Sequence, residues 1–191
     1  MIALKSQRGM VLVTSLLLLL VVTILAVGLF RSMGLDEKIA GNMRDKQRAL
    51  NAAETAELYA ESWLSLGNGS NGINCTGVVN ANIGQVQVCS NLLQLSVPNN
   101  NVAVLPWTIG GAPVGVNYLP AVTTSMNVAT PGADYYSSTP IFYIAYLGAS
   151  PGGLGSLYQI NAAGFGGTAN TAAVVESTFL VQSSVKDLGG L

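Results

Sequence analysis

The chain has 191 residues, of which 50% are hydrophobic and 9% charged, with a formal net charge of −1. Its charges are unevenly placed, because residues 1–61 hold seven of the eight Lys and Arg residues and residues 62–185 hold none. Without a basic patch, this distal part has no groups that neutralise phosphates, which argues against nucleic-acid binding.

The first element in chain order is an uncharged apolar stretch, residues 10–30, which follows a leader of nine residues ending in Arg8-Gly9. As a helix it is roughly 32 Å long, enough to cross the hydrocarbon core of a bilayer. Ala26-Val27-Gly28 offers a cleavage site for a conventional export signal. The apolar run is too long for such a signal, however, so the sequence favours a retained span.

An amphipathic helix is predicted from residue 31 to residue 66. Leu35, Ile39 and Met43 recur at helical spacing. A ridge of small residues follows at the same spacing: Ala49, Ala53, Ala56 and Ala60. Three glycines weaken the helix and favour a bend or a melted turn: Gly28, Gly34 and Gly41. Gly67-Asn68-Gly69 predicts the end of the helix.

Residues 67–191 are predicted to form a β-rich globular domain. Glycine, asparagine and proline mark residues 67–84 and much of 96–135 as loops. Residues rich in β-branched and aromatic side chains predict a strand at Val86–Cys89 and three successive later strands: Ile141–Leu147, Leu157–Ala162 and Ala173–Val181. The turn sequences between these three indicate an antiparallel meander. One long helix on such a sheet is an α+β fold.

Cys75 and Cys89 are separated by thirteen residues and lie in a Gly/Asn-rich region. A disulfide is favoured if this domain occupies an oxidising compartment. Two buried thiols are an alternative, and a metal site is disfavoured because the chain has no histidine and the spacing is not that of a CxxC pair.

The residue inventory does not favour an enzyme. Residues 62–185 contain no histidine or lysine and only two acids, Asp134 and Glu176, whereas acid–base catalysis needs paired groups. The glycine-rich run at 164–167 lies between strands and is interpreted as a turn, since no helix or lysine follows to hold phosphate. We therefore expect no catalytic residue, metal or cofactor, and a structural or interaction protein.

The junction at Arg8-Gly9-Met10 resembles the processing site of type IV prepilins. That resemblance implies cleavage between Gly9 and Met10 by a prepilin peptidase, methylation of the new amino terminus and retention of the span. The run Glu37-Lys38-Ile39-Ala40-Gly41-Asn42-Met43-Arg44-Asp45-Lys46-Gln47, followed by Ala49 and Asn51-Ala52-Ala53-Glu54, resembles the amino-terminal signature of the PilX family of minor pilins. Residues 158–170 and 174–179 resemble the family's last hairpin more loosely.

The resemblance implies a type IV pilin-like fold and four parts: a leader (1–9), a membrane and fibre-core helix (10–30), an amphipathic helix (31–66) and a periplasmic domain (67–191). It implies a protein of the inner membrane and of the pilus, as a minor pilin that helps to start assembly. The implied partners are other minor pilins, the major pilin, a tip adhesin, the prepilin peptidase and the inner-membrane assembly machinery.

The periplasmic location depends on this resemblance. Two basic residues precede the apolar stretch and five follow it before residue 49, so the positive-inside rule alone would place the carboxyl-terminal domain in the cytoplasm.

The sequence departs from major pilins at the fifth position after the predicted cleavage, where Thr14 replaces their glutamate. Because threonine has no charge to neutralise a neighbour's ammonium, we expect a position at or near the tip. Two alternatives stay open: a minor pseudopilin of type II secretion, and an uncleaved single-span periplasmic binding protein.

Overall fold

The computed structural model describes residues 8–80, 85–93, 107–109, 112–118, 126–132 and 134–182, without the side chains of residues 8, 9 and 31–33. Most of the predicted leader lies outside the described residues, and so do Pro98, Pro106 and Pro120 of the predicted loops. Contacts divide the chain into two compact units, Met1–Met43 and Arg44–Leu191.

Helix α1 comprises Arg8–Trp63 and continues as a π-helical turn, Leu64–Asn68. It is helical through Gly28, Gly34 and Gly41, so no turn is melted there. A glycine in a helix interior lowers the stability of the helix by about 1 kcal/mol relative to alanine. A helix of this length tolerates that loss at separate positions. Gly67 has a φ of 84°, the left-handed conformation that ends helices, and it lies within the predicted stop.

Eight strands are present in the described residues. Their bounds are β1 Val78–Asn80, β2 Val88–Cys89, β3 Thr108–Ile109, β4 Ala112–Pro113, β5 Gly115–Asn117, β6 Ile141–Ala149, β7 Gly155–Phe165 and β8 Ala172–Gln182. Strands β6, β7 and β8 form the predicted antiparallel meander, each a few residues longer than expected. The α+β fold class is thereby confirmed.

The main sheet is mixed rather than purely antiparallel. Its order is β1-β5-β6-β7-β8, and β2 also pairs with β6. Strands β1 and β5 are parallel, as are β2 and β6, whereas β5 and β6 are antiparallel. Strands β3 and β4 form a separate antiparallel pair. Four of these short strands, β1, β3, β4 and β5, lie in stretches that we predicted as loops.

The core of the second unit has two layers, one on each face of the sheet. On one face, the small-residue ridge of α1 packs against Phe142, Ile144, Tyr158 and Ile160. The ridge residues Ala49, Ala53, Ala56 and Ala60 are fully buried, as predicted, and Ala52 is buried beside them. On the other face, Trp107, Val114 and Tyr143 enclose the two cysteines.

Candidate assembly site

The apolar part of α1 presents an uninterrupted hydrophobic surface. The exposed fractions of its large apolar side chains run from 48% at Leu20 to 74% at Phe30. Within the described part of the chain, α1 is the one helix long and apolar enough to cross a membrane. A surface of this size and composition needs lipid or protein contacts to cover it.

The hydroxyl groups of this apolar stretch are all bonded within the helix. The Thr14 hydroxyl donates to the carbonyl oxygens of Met10 and Val11, each at 3.0 Å. The hydroxyls of Ser15 and Thr23 donate to carbonyl oxygens three residues earlier, at 2.9 and 2.8 Å. Because an unpaired polar group is costly in hydrocarbon, this bonding suits the helix to an apolar environment.

The residues predicted for processing and assembly lie together at the start of α1. Gly9 and Met10 belong to its first turn, and Thr14 follows one turn later. The Met10 side chain is exposed. Cleavage between Gly9 and Met10, and the assembly role of Thr14, remain predictions.

A second cluster, which sequence reasoning missed, joins α1 to the turn between β7 and β8, residues 166–171. One carboxylate oxygen of Asp45 accepts a hydrogen bond from the Gly167 N–H at 2.5 Å, and the other accepts one from the Thr168 hydroxyl at 2.9 Å. Lys46 donates through Nζ to the Ala172 carbonyl oxygen. We call the contact of Asp45 with Gly167 and Thr168 the helix–turn clasp.

Arg48 extends this contact to the segment before β6. Its guanidinium donates to the Tyr135 carbonyl oxygen at 2.5 Å and lies 4.6 Å from the centre of the Tyr136 ring. A guanidinium over an aromatic face is attracted by the ring quadrupole. Asp45, Lys46 and Arg48 therefore hold turn 166–171, the start of β8 and the segment before β6 against the helix.

The electrostatics of Asp45 follow from these bonds. Its partial burial opposes ionisation, but hydrogen bonds from Thr171, Gly167 and Thr168 favour the carboxylate more strongly. The pKa of Asp45 is therefore below its ordinary value of 3.8. The helix–turn clasp depends on a charged carboxylate.

Replacing Asp45 with Asn is expected to lower the free energy of unfolding by about 1–2 kcal/mol at pH 7, because charge-assisted acceptors are lost. In the unchanged protein, the contribution of Asp45 is fully present above its unfolded pKa. It is lost as pH falls below about 4 through the folded pKa, since the unfolded chain binds the proton first.

Urea unfolding of the two proteins between pH 7 and pH 3 measures this difference. Glu54→Gln removes an exposed carboxylate of the same helix and is the matched control. The difference in the free energy of unfolding between Asp45→Asn and the unchanged protein should become smaller as the pH falls. A difference that stays constant would contradict a stabilising role for the charged Asp45 carboxylate.

Cys75 and Cys89 are joined as a disulfide in the structure, with their Cα atoms 5.4 Å apart. The Asn91 side chain reinforces this link by accepting from the Cys75 N–H at 3.0 Å and donating to the Cys75 carbonyl oxygen at 3.1 Å. The Tyr143 hydroxyl donates to the Asn91 carbonyl oxygen at 2.5 Å, and burial raises the pKa of Tyr143 to about 12. The disulfide loop is thus fixed to β6.

The described residues contain no group of three or more His, Cys, Asp or Glu side chains that could hold a metal ion. Glu176 lies on β8 with its side chain exposed. The glycine-rich run at 164–167 was predicted as a turn, but Gly164 and Phe165 belong to the end of β7, and only Gly166 and Gly167 lie in turn 166–171. Neither Glu176 nor the run at 164–167 therefore forms part of a pair of acid–base groups on the main sheet.

Comparison with known proteins bears on the same helix. Residues 8–56 match the family model described as PilX N-terminal. No curated protein and no solved structure matches the chain. The family match begins at the predicted processing site, covers the whole apolar stretch, and includes Asp45, Arg48 and most of the small-residue ridge. Its amino-terminal helix is therefore similar to that of the PilX family of type IV pilins.

Proposed function

We propose that this protein is a minor pilin that helps to start type IV pilus assembly after cleavage between Gly9 and Met10. The observation that carries the proposal is the uncharged surface of residues 10–30, whose hydroxyl groups are all bonded within the helix. Such a helix is stable in the inner membrane and can pack among other pilin helices in a fibre core. The family match at residues 8–56 supports the same function.

Under this proposal, the prepilin peptidase removes the leader and the amino group of Met10 is methylated. Residues 10–30 anchor the subunit by a single span, and the carboxyl-terminal domain lies in the periplasm until assembly. The partners are other minor pilins, the major pilin, a tip adhesin and the inner-membrane assembly machinery. Through these contacts the protein supports adhesion and twitching motility.

The missing charge at Thr14 favours a position at or near the tip. A subunit in the fibre body has a neighbour whose amino-terminal ammonium needs a carboxylate, because an unpaired charge is costly in an apolar core. The Thr14 hydroxyl donates to its own helix and carries no charge. A tip subunit has fewer neighbours that require this pair.

Mass spectrometry of the amino-terminal peptide from sheared surface fibres tests the proposal. A methylated Met10 terminus is the expected result. An intact Met1 protein found in inner membranes alone would favour the uncleaved single-span protein and overturn the pilin function. Processing followed by co-purification with a secretion complex, without pili, would favour the type II pseudopilin.

Thr14→Glu tests the tip position separately. We expect surface pili to fall roughly tenfold, because a tip subunit offers its new carboxylate no ammonium partner within the apolar core. Thr14→Val keeps the side-chain shape without charge and is the matched control, with piliation expected to be unchanged. Piliation is measured by quantifying sheared fibres, and gold labelling locates the subunit. Normal piliation with Thr14→Glu, or even labelling along fibres, would contradict a tip position.

A further inference from the structure

A cleft of about 240 Å³ opens on the second unit between the ends of β5 and β7 and the segment before β6. Asn117 comes from the end of β5, Ser137–Thr139 from the segment before β6, and Phe165 from the end of β7. Ile141 and Ala169 complete the lining. None of these side chains carries a charge.

Three polar groups of the cleft form no hydrogen bond with another described residue. Asn117 donates its amide N–H to Asn80 at 3.3 Å, which leaves its amide oxygen as an acceptor for a ligand. Within the described part of the chain, the hydroxyls of Ser138 and Thr139 have no hydrogen-bond partner. Beside them, the half-buried ring of Phe165 supplies an apolar surface. The cleft thus combines hydroxyl and amide groups with one aromatic ring.

The walls of the cleft are held in place without a ligand. The Ser137 N–H donates to the Gly166 carbonyl oxygen at 2.8 Å, and its hydroxyl donates to the Thr168 carbonyl oxygen at 3.2 Å. The Tyr118 N–H, next to Asn117, donates to the carbonyl oxygen of Pro140, next to Thr139, at 2.8 Å. The helix–turn clasp also holds this turn, 166–171, against α1. A preorganised cleft loses little freedom when a ligand binds.

We propose that this cleft binds a neutral sugar ring, as the terminal residue of a glycan. Uncharged hydroxyl and amide groups match the hydroxyls of a sugar and give no compensation for an ionic group that leaves water. The Phe165 ring matches the apolar C–H face of a pyranose. The volume equals that of about eight liquid waters and is below the usual range for drug-sized ligands, which fits one ring.

Charged ligands and larger apolar ligands fit the cleft less well. Between residues 62 and 185 the only charged residues are Asp134 and Glu176, and neither lines the cleft. An apolar ligand would leave the hydroxyls of Ser138 and Thr139 without partners, which costs free energy. Binding would give this protein a recognition activity in addition to the proposed role in assembly.

Ligand-observed saturation-transfer NMR on the full chain tests this site, in micelles of a zwitterionic detergent that contains no sugar. The probes are methyl glycosides of glucose, galactose and N-acetylgalactosamine, the corresponding free sugars, and two charged analogues, glucuronic acid and glucosamine. We expect at least one neutral glycoside to bind with a Kd of about 1 mM and the charged analogues to bind at least tenfold more weakly.

Side-chain variants locate the binding. Ser138→Ala and Thr139→Val are each expected to weaken binding roughly three- to tenfold, because each removes one hydrogen bond. Phe165→Leu keeps an apolar side chain and removes the ring, with a similar expected loss. Thr178→Ala removes an exposed hydroxyl of β8, outside the cleft lining, and is the matched control. Circular dichroism checks that each variant is folded.

Four results would overturn the proposal. The first is an absence of saturation transfer for every neutral sugar at roughly 10 mM. The second is equal binding of the charged analogues, and the third is equal weakening by Thr178→Ala and by the cleft variants. The fourth is binding of free sugars without binding of any methyl glycoside, which would show that the anomeric position must be open and would contradict recognition of a terminal glycan residue.

Discussion

Gly164→Ala is expected to lower the free energy of unfolding by about 3 kcal/mol or more. Gly164 lies on β7 directly against the small-residue ridge of α1. A Cβ atom placed there would lie 2.9 Å from the Ala52 carbonyl carbon and nearer still to the Ala49 oxygen and the Ala53 nitrogen. These are backbone atoms of a helix, so the added methyl group is accommodated only if the whole helix moves away from the sheet.

The measurement is urea unfolding of the full chain in micelles, followed by near-UV circular dichroism. Gly77→Ala is the matched control, since a Cβ atom at Gly77 would meet nothing within 4 Å, and its expected change is below about 0.5 kcal/mol. If Gly164→Ala fails to fold, the proportion of soluble to aggregated protein gives the same ranking. Equal stability of the two variants would contradict the close packing of α1 on β7.

Removal of the disulfide is the second large effect expected. Replacing both Cys75 and Cys89 with alanine should cost about 3 kcal/mol, because a cross-link between residues 14 apart restricts the unfolded chain. Both cysteines are also buried against Trp107 and Tyr143, so the substitution removes packed atoms as well. For a domain of this size, Tm is expected to fall by roughly 6–12 °C.

Thermal unfolding with and without a reducing agent separates the two contributions. Reduction of the unchanged protein removes the cross-link and keeps the sulfur atoms, whereas the double variant loses both and should be insensitive to reductant. Asn91→Ala, which removes the two hydrogen bonds to the Cys75 backbone, should lower the stability of the reduced protein further. A reduced protein as stable as the oxidised one would contradict a stabilising role for the disulfide.

Local patterns in the sequence account for the parts of the fold that were predicted well. The ridge at Ala49, Ala53, Ala56 and Ala60 has helical periodicity, and its burial follows from that spacing. Strands β6 to β8 are long, rich in β-branched and aromatic residues, and separated by obvious turn sequences. Each neighbours the next in sequence, so both pairings are those of a simple meander.

Most of the short strands could not be found in this way. Strand β1 is three residues long and pairs in parallel with β5, which lies 35 residues further along the chain. Strand β2 is the exception, because it lies within the strand predicted at Val86–Cys89, although its pairing with β6 was not predicted. Segments this short carry no alternation of apolar and polar residues, and their pairing depends on distant backbone groups. Tertiary contacts, rather than propensity, decide these elements.

The candidate sites also differ in how far they can be recognised from the sequence. The apolar surface of residues 10–30 is visible in composition alone. The helix–turn clasp joins Asp45 to Gly167, 122 positions away, and the sequence gives no reason to choose Asp45 over the other acids of α1. The cleft is still less visible, since Asn117, Ser138 and Phe165 come from three separate segments.

The order of the core along the chain has a consequence for biosynthesis. The small-residue ridge is translated by residue 60, but the strands that bury it end at Gln182. A nascent chain therefore carries its finished helix for more than a hundred residues before a sheet exists to cover it. A ribosome that stops before β8 releases a chain whose core has not closed. Such a product is a target for proteolysis, which removes chains with an incomplete sheet.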